Sequence, residues 1–551
     1  MDQVISPASA TGAIGADTQG SRSASPSGWW ADWRFDAILV SAISICALLL
    51  RLRQLGARSL WVDEGASVAI ARLPWGDFLR ILWRYEGNMA LYYLMLRGWM
   101  QLGSSETILR WFSVLAAVLS VPALYLLGRR MYGRSVGLMA ALFLAVNAFH
   151  IRYSQEARSY ALLVLAVIIC FYLFVRSVES PSLSNWALWG VASALAVYIH
   201  FFSVLVTVAQ LASIVFLGMR RIPWRNLGAG LGLYAVVILP VPVFIWNNWH
   251  NHQLDWVPAP NIDSVYAFAE ILAGEGGRIL VCAYLACLLS ALLVFVRQWQ
   301  RHDDSLDRFR LGSLFLWLLL PIAITLGATI LKPVFVPRYL AVSLPALALL
   351  AAWGVGALHT RWRIIAALGL AALALHGARN PYARDSGPAE NWRSAVQYLT
   401  SSAASNDVFL LNNGIGRPVF EYYRSRGAKN STLQILFPSH GDAMTIRDFQ
   451  GVPDASFVER QLNGQKRFWV VDWYATPSVD RLLQNGFQRA QIRQFPGVTV
   501  SLYLNTVAAA PAKGLTPSPG QSPAEAGRRE PRNEAVKLIP NNGVLPAGVA
   551  R

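Results

Sequence analysis

The chain has 551 residues, 54% of them hydrophobic, 12% aromatic and only 14% charged, with a mean hydropathy of +0.37. That balance is too apolar for a water-soluble protein of this length and excludes a disordered chain. The formal net charge of +17 invites a nucleic-acid reading, but the arginines sit in short loops between apolar runs, where they set membrane orientation instead.

Residues 1–28 are rich in Ser, Ala and Gly and lack a basic stretch followed by a short apolar core, so they read as a disordered segment rather than a cleavable signal. Trp29, Trp30 and Trp33 follow as headgroup-level rings. An apolar run from Phe35 to Leu52 then makes the first span. Runs of roughly 16 to 22 apolar residues recur to about residue 377, about eleven in all, each near the length that crosses ~30 Å of hydrocarbon. Arg129, Arg130 and Arg134, then Arg220, Arg221 and Arg225, then Arg297 to Arg310, then Arg361 and Arg363 mark cytoplasmic loops. With the N-terminus inside and an odd number of spans, everything beyond about residue 380 is expected outside.

Directly after the first span stands Leu60-Trp61-Val62-Asp63-Glu64-Gly65. Carboxylates at a membrane boundary are costly and mark function; the structural alternative is an acidic start to the helix that follows. The same outer loop holds Arg51, Arg53, Arg58, Arg72, Arg80, Arg84, Arg97 and Arg110, against the positive-inside tendency. Either guanidinium forks gather an anionic headgroup, or they pair with Asp77, Glu86 and Glu106 on amphipathic helices. Leu91 to Leu102 covers only about 18 Å as a helix and is expected to lie in the interface, anchored by Tyr92, Tyr93 and Trp99.

Glu156 and Arg158 fall between spans expected at residues 136–149 and 160–175, on the side of Asp63, where they either contact substrate or pair with each other structurally across a bend. Arg338 follows Pro333 and Pro337 at the outer start of another span. His200, His250 and His252 lie near the same face without a metal-ligand set, so interfacial hydrogen bonding is the expectation. The four cysteines, Cys46, Cys170, Cys282 and Cys287, all fall within apolar runs and suggest packing, not a disulfide framework. Past residue 380 the character changes: Trp392 to Leu399 is helix-like, and Val408 to Leu411, Phe468 to Val471 and Val498 to Leu504 read as strands of a small α/β domain. From Thr506 the chain is Pro-, Ala- and Gly-rich, a disordered tail. The domain boundaries are accordingly 1–28, 29–379, 380–505 and 506–551.

Four stretches, Ser59-Leu60-Trp61-Val62-Asp63-Glu64, Leu91-Tyr92-Tyr93-Leu94, Tyr153 to Leu162 and Val336-Pro337-Arg338-Tyr339-Leu340, together resemble the bacterial GT-C glycosyltransferases. The branch is that of protein O-mannosyltransferases and the aminoarabinose transferase, similar to glycosyltransferase family 39. The resemblance implies a polytopic α-helical membrane protein with about eleven transmembrane helices, juxtamembrane helices and a small C-terminal α/β domain. It implies a multi-pass protein of the bacterial inner membrane, its C-terminal domain extracytoplasmic. Its partners would be membrane lipids, a polyprenyl-phosphate sugar donor and an envelope lipid, glycan or protein as acceptor, with no nucleic acid.

On the matching positions Asp63 takes the role of general base in an inverting displacement, with Glu64 orienting the site or the acceptor. Arg158 and Arg338 take the phosphate, and Arg58, Glu86, Tyr92, Arg152, Glu156, Tyr160 and Lys332 complete the substrate-binding set. No metal site is expected; a divalent cation as cofactor is left open. The sequence departs from the pattern at Glu86-Gly87-Asn88-Met89-Ala90, where relatives carry a Pro pair before the Leu-Tyr-Tyr element. The competing class is a transporter or flippase of lipid-linked glycans, disfavoured because no internal repeat is visible.

Overall fold

The computed structural model describes residues 26–249, 257–301, 305–379, 390–404, 406–426, 434–437, 460, 462, 465–474 and 486–505. Of the segment 1–28 read as disordered, residues 1–25 lie outside these while residues 26–28 open the first helix, and the readings for His250 and His252 and for the tail from Thr506 also lie outside. The chain opens with α1 (Pro26–Leu52), followed by three short helices, α2 (Val62–Arg72), α3 (Trp75–Arg84) and α4 (Ala90–Trp99). Then come α5 (Glu106–Tyr132), α6 (Arg134–Val146), α7 (Ala148–Ser154), α8 (Tyr160–Glu179), α9 (Leu183–Ile199), α10 (Ser203–Ser213), α11 (Trp224–Ile238) and α12 (Pro240–Asn247). The bundle ends with α13 (Ile262–Ala273), α14 (Gly277–Gln300), α15 (Ser305–Ala328), α16 (Leu344–Gly356) and α17 (Thr360–Gly377).

Among the described residues, 6 helical stretches are long and apolar enough to cross a membrane, or 8 when α6 with α7 and α11 with α12 each count as one bent span. Leu183–Ile199 and Ser203–Leu217 are shorter apolar helices. The eleven runs counted in the sequence therefore do not translate into eleven full-length helices. Breaks at Asn147 and Leu239 divide two of them, with bends of 59° and 43°. Leu91 to Leu102 is indeed a short helical piece, α4 with one 3-10 turn after it.

Charge separates the two ends of the bundle. Asp36, buried on α1, pairs with Arg129 at 3.1 Å and with Arg134, and accepts the Tyr125 hydroxyl at 2.5 Å. Glu179, at the end of α8, pairs with Arg130 at 2.8 Å and Arg310 at 2.9 Å. So arginines from two of the loop clusters assigned to one side converge on two carboxylates at one end. Arg110 lies near the opposite end of α5, about 28 Å from Arg129 at 1.5 Å per residue, close to the thickness of a hydrocarbon core.

The C-terminal part contributes α18 (Trp392–Ser402), α19 (Arg417–Arg424) and five strands: β1 (Val408–Leu411), β2 (Gln434–Phe437), β3 (Arg467–Trp473), β4 (Phe487–Phe495) and β5 (Val498–Asn505). The sheet order is β2-β1-β3-β5-β4, with β1 parallel to β2 and β3, and β5 antiparallel to β3 and β4. Period-two alternation sends Phe409, Leu411, Trp469 and Val471 toward α18 and α19, and Val408, Leu410, Phe468 and Val470 toward Leu436 and Tyr503. Both faces are thus covered, which explains why β1 reads as an unbroken apolar run. The three strands and the helix expected from the sequence are present; β2, β4 and α19 are additional. β4 is polar and exposed along its length because it is the edge strand.

This sheet unit seats on α2. Gly65 meets α19 so closely that a Cβ there would stand 2.6 Å from the Val419 Cβ and 2.7 Å from its Cα. Around the contact, the Tyr423 hydroxyl accepts the Leu60 N–H at 2.6 Å and bonds Glu106, while Arg393 donates to the carbonyls of Gly56 and Arg58 at 3.1 Å and pairs with Glu106.

Candidate active site

The acidic pair opens α2, with Trp61 in extended conformation as its N-cap, so the two carboxylates lie in the first turn, where the helix dipole favours negative charge. Their fates diverge. Glu64 is fully buried: Oε1 accepts from Arg110 Nε and from the Ala157 N–H, both at 2.8 Å, and Oε2 accepts from Arg110 Nη2 at 2.7 Å and from the Trp61 N–H at 3.3 Å. Arg110 spends its remaining donors on the carbonyls of Leu55, Arg58 and Ser59 at 2.9 to 3.0 Å. Glu64 has no accessible oxygen for an acceptor, which corrects that half of its expected role. What it holds is the loop before α2 and the turn before α8.

Asp63 points the other way, its side chain 30% exposed, and faces Arg158 at 3.6 Å and Arg338 at 3.7 Å through the same oxygen. Both separations exceed a formed hydrogen bond, so the carboxylate is flanked rather than locked. Arg158 also reaches the Asp63 carbonyl at 3.3 Å and the Ser67 hydroxyl at 3.2 Å. Arg338 stands at the start of the 3-10 helix Pro337–Ser343, as the proline spacing suggests, with its guanidinium within 5.6 to 6.0 Å of the rings of Trp61, Tyr339 and Tyr160. Tyr160, buried, is edge-on to Tyr153 at 5.2 Å and lies beside His200 at 6.0 Å.

Beside the Glu64–Arg110 pair is a small recess of about 30 Å³ whose lining also includes Arg58, Trp61, Arg152, Gln155 and Glu156. Arg152 is held to Glu275 at 3.3 Å. Glu156 is 8% exposed and its Oε2 is buried without a hydrogen-bond partner. Burial, with Glu64 nearby, pushes its carboxyl up to about 7. Glu86, in the loop before α4, is likewise raised by burial and accepts the Tyr93 hydroxyl at 3.3 Å.

Tyr92, expected to contact substrate, is instead fully buried between the rings of Tyr93 at 5.9 Å and Phe112 at 5.7 Å. It faces the bundle, and Tyr93 is the ring that meets Glu86. Lys332 sends its ammonium to the Trp249 carbonyl at 3.1 Å. The structure also brings in a residue that carries no local motif: Glu390, 7% exposed, accepts the Val62 N–H at 3.0 Å and the Trp392 indole N–H at 2.8 Å. Burial raises its carboxyl to about 7 as well.

These two carboxyls give a pH dependence with a definite sign. Each stays protonated in the fold at pH values where the unfolded chain is already ionised, so their stabilisation is complete at and below the ordinary carboxyl range and declines as pH rises toward about 7. The unfolding temperature in detergent is therefore expected to fall between about pH 5 and 7, and Glu156→Gln to shrink that slope; an identical slope in the variant refutes the assignment.

A helical bundle with broken apolar helices, short helices beside them and an acid flanked by arginines at one end has a GT-C-like fold. Residues 90–246 match the family model described as dolichyl-phosphate-mannose-protein mannosyltransferase. Nearly the whole chain superposes on ArnT from Cupriavidus metallidurans: in the apo state at TM-score 0.59 and 14% identity, over 89% of this chain and 100% of that one. With undecaprenyl phosphate bound to ArnT the figures are 0.57 and 14%, over 87% and 98%. No curated protein matches the sequence.

Proposed function

We propose that this protein is an integral-membrane glycosyltransferase that takes a sugar from a polyprenyl-monophosphate donor and gives it to a hydroxyl of an envelope lipid, glycan or protein. The reading places the site and the C-terminal α/β domain on the outer face of the inner membrane. One observation carries it: a partly exposed carboxylate, Asp63, flanked through one oxygen by the guanidiniums of Arg158 and Arg338 at 3.6 and 3.7 Å. That arrangement supplies a base for the acceptor and cations for a departing phosphate within one site.

In the reaction the donor phosphate settles on Arg158 and Arg338, whose planar forks suit its oxygens. Their attraction to the phosphate loosens their hold on Asp63, which is then the proton acceptor beside the incoming hydroxyl. The acceptor oxygen attacks the anomeric carbon as its proton passes to Asp63; the C–O bond to phosphate breaks, and both arginines stabilise the phosphate dianion that leaves. Glu156, with its uncommitted buried oxygen, is placed to accept a hydroxyl of the sugar, and Arg58 and Arg152 frame that recess. Glu64 and Arg110 position the loop. The bound lipid phosphate in the ArnT structure supports a donor of this chemistry.

The test is a transfer assay on purified protein, offering a panel of radiolabelled polyprenyl-phosphate sugars with an envelope extract. Donor consumption and a labelled product in detergent, where no second compartment exists, are expected. An intact donor across the panel would move the assignment to transport of a lipid-linked glycan.

A further inference from the structure

The helix that carries Asp63 is closed at its start by a residue more than three hundred positions away. A helix leaves its first backbone N–H groups without internal partners, and the N-cap of α2 is Trp61, whose side chain has no acceptor to offer. The Trp61 N–H goes to Glu64 at 3.3 Å. The next one, on Val62, goes to Glu390 at 3.0 Å. That carboxyl is in turn held by the Trp392 indole N–H at 2.8 Å, on the first residue of α18. Asp63 is the residue after Val62, and its own carbonyl accepts from Ser67 at 2.9 Å and Arg158 at 3.3 Å. The peptide that follows the Asp63 Cα is therefore held through its carbonyl, the Trp61–Val62 peptide one residue before it is held through the Val62 N–H, and this second fixing comes from the C-terminal part of the chain.

The structure assigns Glu390 as a positioning residue for the transfer reaction, a latch through which the C-terminal α/β unit sets the orientation of the Asp63 carboxylate. The assignment rests on the reading of Asp63 as general base, but the latch itself has a readout of its own. It predicts that the C-terminal unit affects turnover without touching the sugar.

The experiment uses the full chain in detergent. Glu390→Ala removes the acceptor. Glu390→Gln keeps an oxygen on the Val62 N–H. Val62→Pro removes the donor together with a buried isopropyl group, while the backbone accommodates it: Val62 is the first helical residue, where proline is tolerated, and Trp61 already has the extended backbone that precedes proline (φ −97°, ψ 174°). Hydrogen–deuterium exchange over residues 58–66 and transfer kinetics are measured for each. Faster exchange in this peptide, with kcat at least about ten-fold lower and donor KM within about two-fold, is expected for Glu390→Ala. Glu390→Gln should restore both readouts. Val62→Pro should reproduce the kinetic loss, and the double variant should be no worse than either single one. Unchanged exchange over 58–66 in Glu390→Ala overturns the latch whatever the kinetics do, as does a kcat equal to wild type in both Glu390→Ala and Val62→Pro. If exchange responds as described while even the wild type transfers nothing, the latch stands as a structural device and the transferase reading falls.

Discussion

Asp63→Asn protein is expected to fold, to bind donor, and to transfer sugar at least about a thousand-fold more slowly than wild type, within the range attributed to a lost general base. The amide is isosteric, and the Asp63 side chain makes no short hydrogen bond whose loss would loosen α2: its ion pairs stand at 3.6 and 3.7 Å. The helix start is held by Glu64 and Glu390 instead. Donor affinity carries the sharper information. Arg158 and Arg338 face either Asp63 or the phosphate, so neutralising Asp63 leaves both guanidiniums to the ligand, and donor binding should be equal to or tighter than wild type. A variant with near-normal turnover would remove Asp63 from the chemistry. One that loses donor binding along with turnover would make it a binding residue instead.

Arg110→Ala should have the largest effect on stability. Its guanidinium is buried, with a bidentate pair to Glu64 and three further bonds to carbonyls of the Leu55–Ser59 loop. Removing one partner of a buried pair strands the other charge, a loss of about 3–5 kcal/mol. Here three loop carbonyls lose their donor as well. Thermal unfolding in detergent should show a large drop, with Glu64→Gln milder because the amide retains one acceptor for Arg110. A wild-type melting curve for Arg110→Ala would refute the structural role given to the pair.

The sequence was most legible where local chemistry and position coincide. Asp63, Arg158 and Arg338 are marked by motifs at span boundaries, and they do meet. The excess of arginines in the loop after the first apolar run was harder to read, because a guanidinium that binds phosphate and one that ties backbone carbonyls look alike in a sequence. Arg51 bonds the carbonyls of Ala47 and Ala145 and the His150 ring, Arg97 those of Ala71 and Leu73, and Arg110 those of the 55–59 loop. Such clamps explain much of the apparent breach of the positive-inside tendency. Tyr92 and Tyr93 are adjacent, and only packing decides which of the two meets Glu86. Glu390 could not be found locally at all: it matters through a contact with Val62, and no periodicity spans that separation.

The backbone contact between Gly65 and Val419 has a consequence for how such chains can be recombined. No side chain intervenes there to be trimmed or repacked, since the Val419 N and Cα stand as near to the added Cβ position as its own Cβ does. A foreign C-terminal unit grafted after the last membrane helix would need a helix of matching approach, a hydroxyl in place of Tyr423 and a carboxylate in place of Glu390. Lacking them, it would unseat the turn that bears Asp63. The C-terminal unit is thus inherited with the bundle, and a change in it has to be written into its loops rather than made by exchanging the whole.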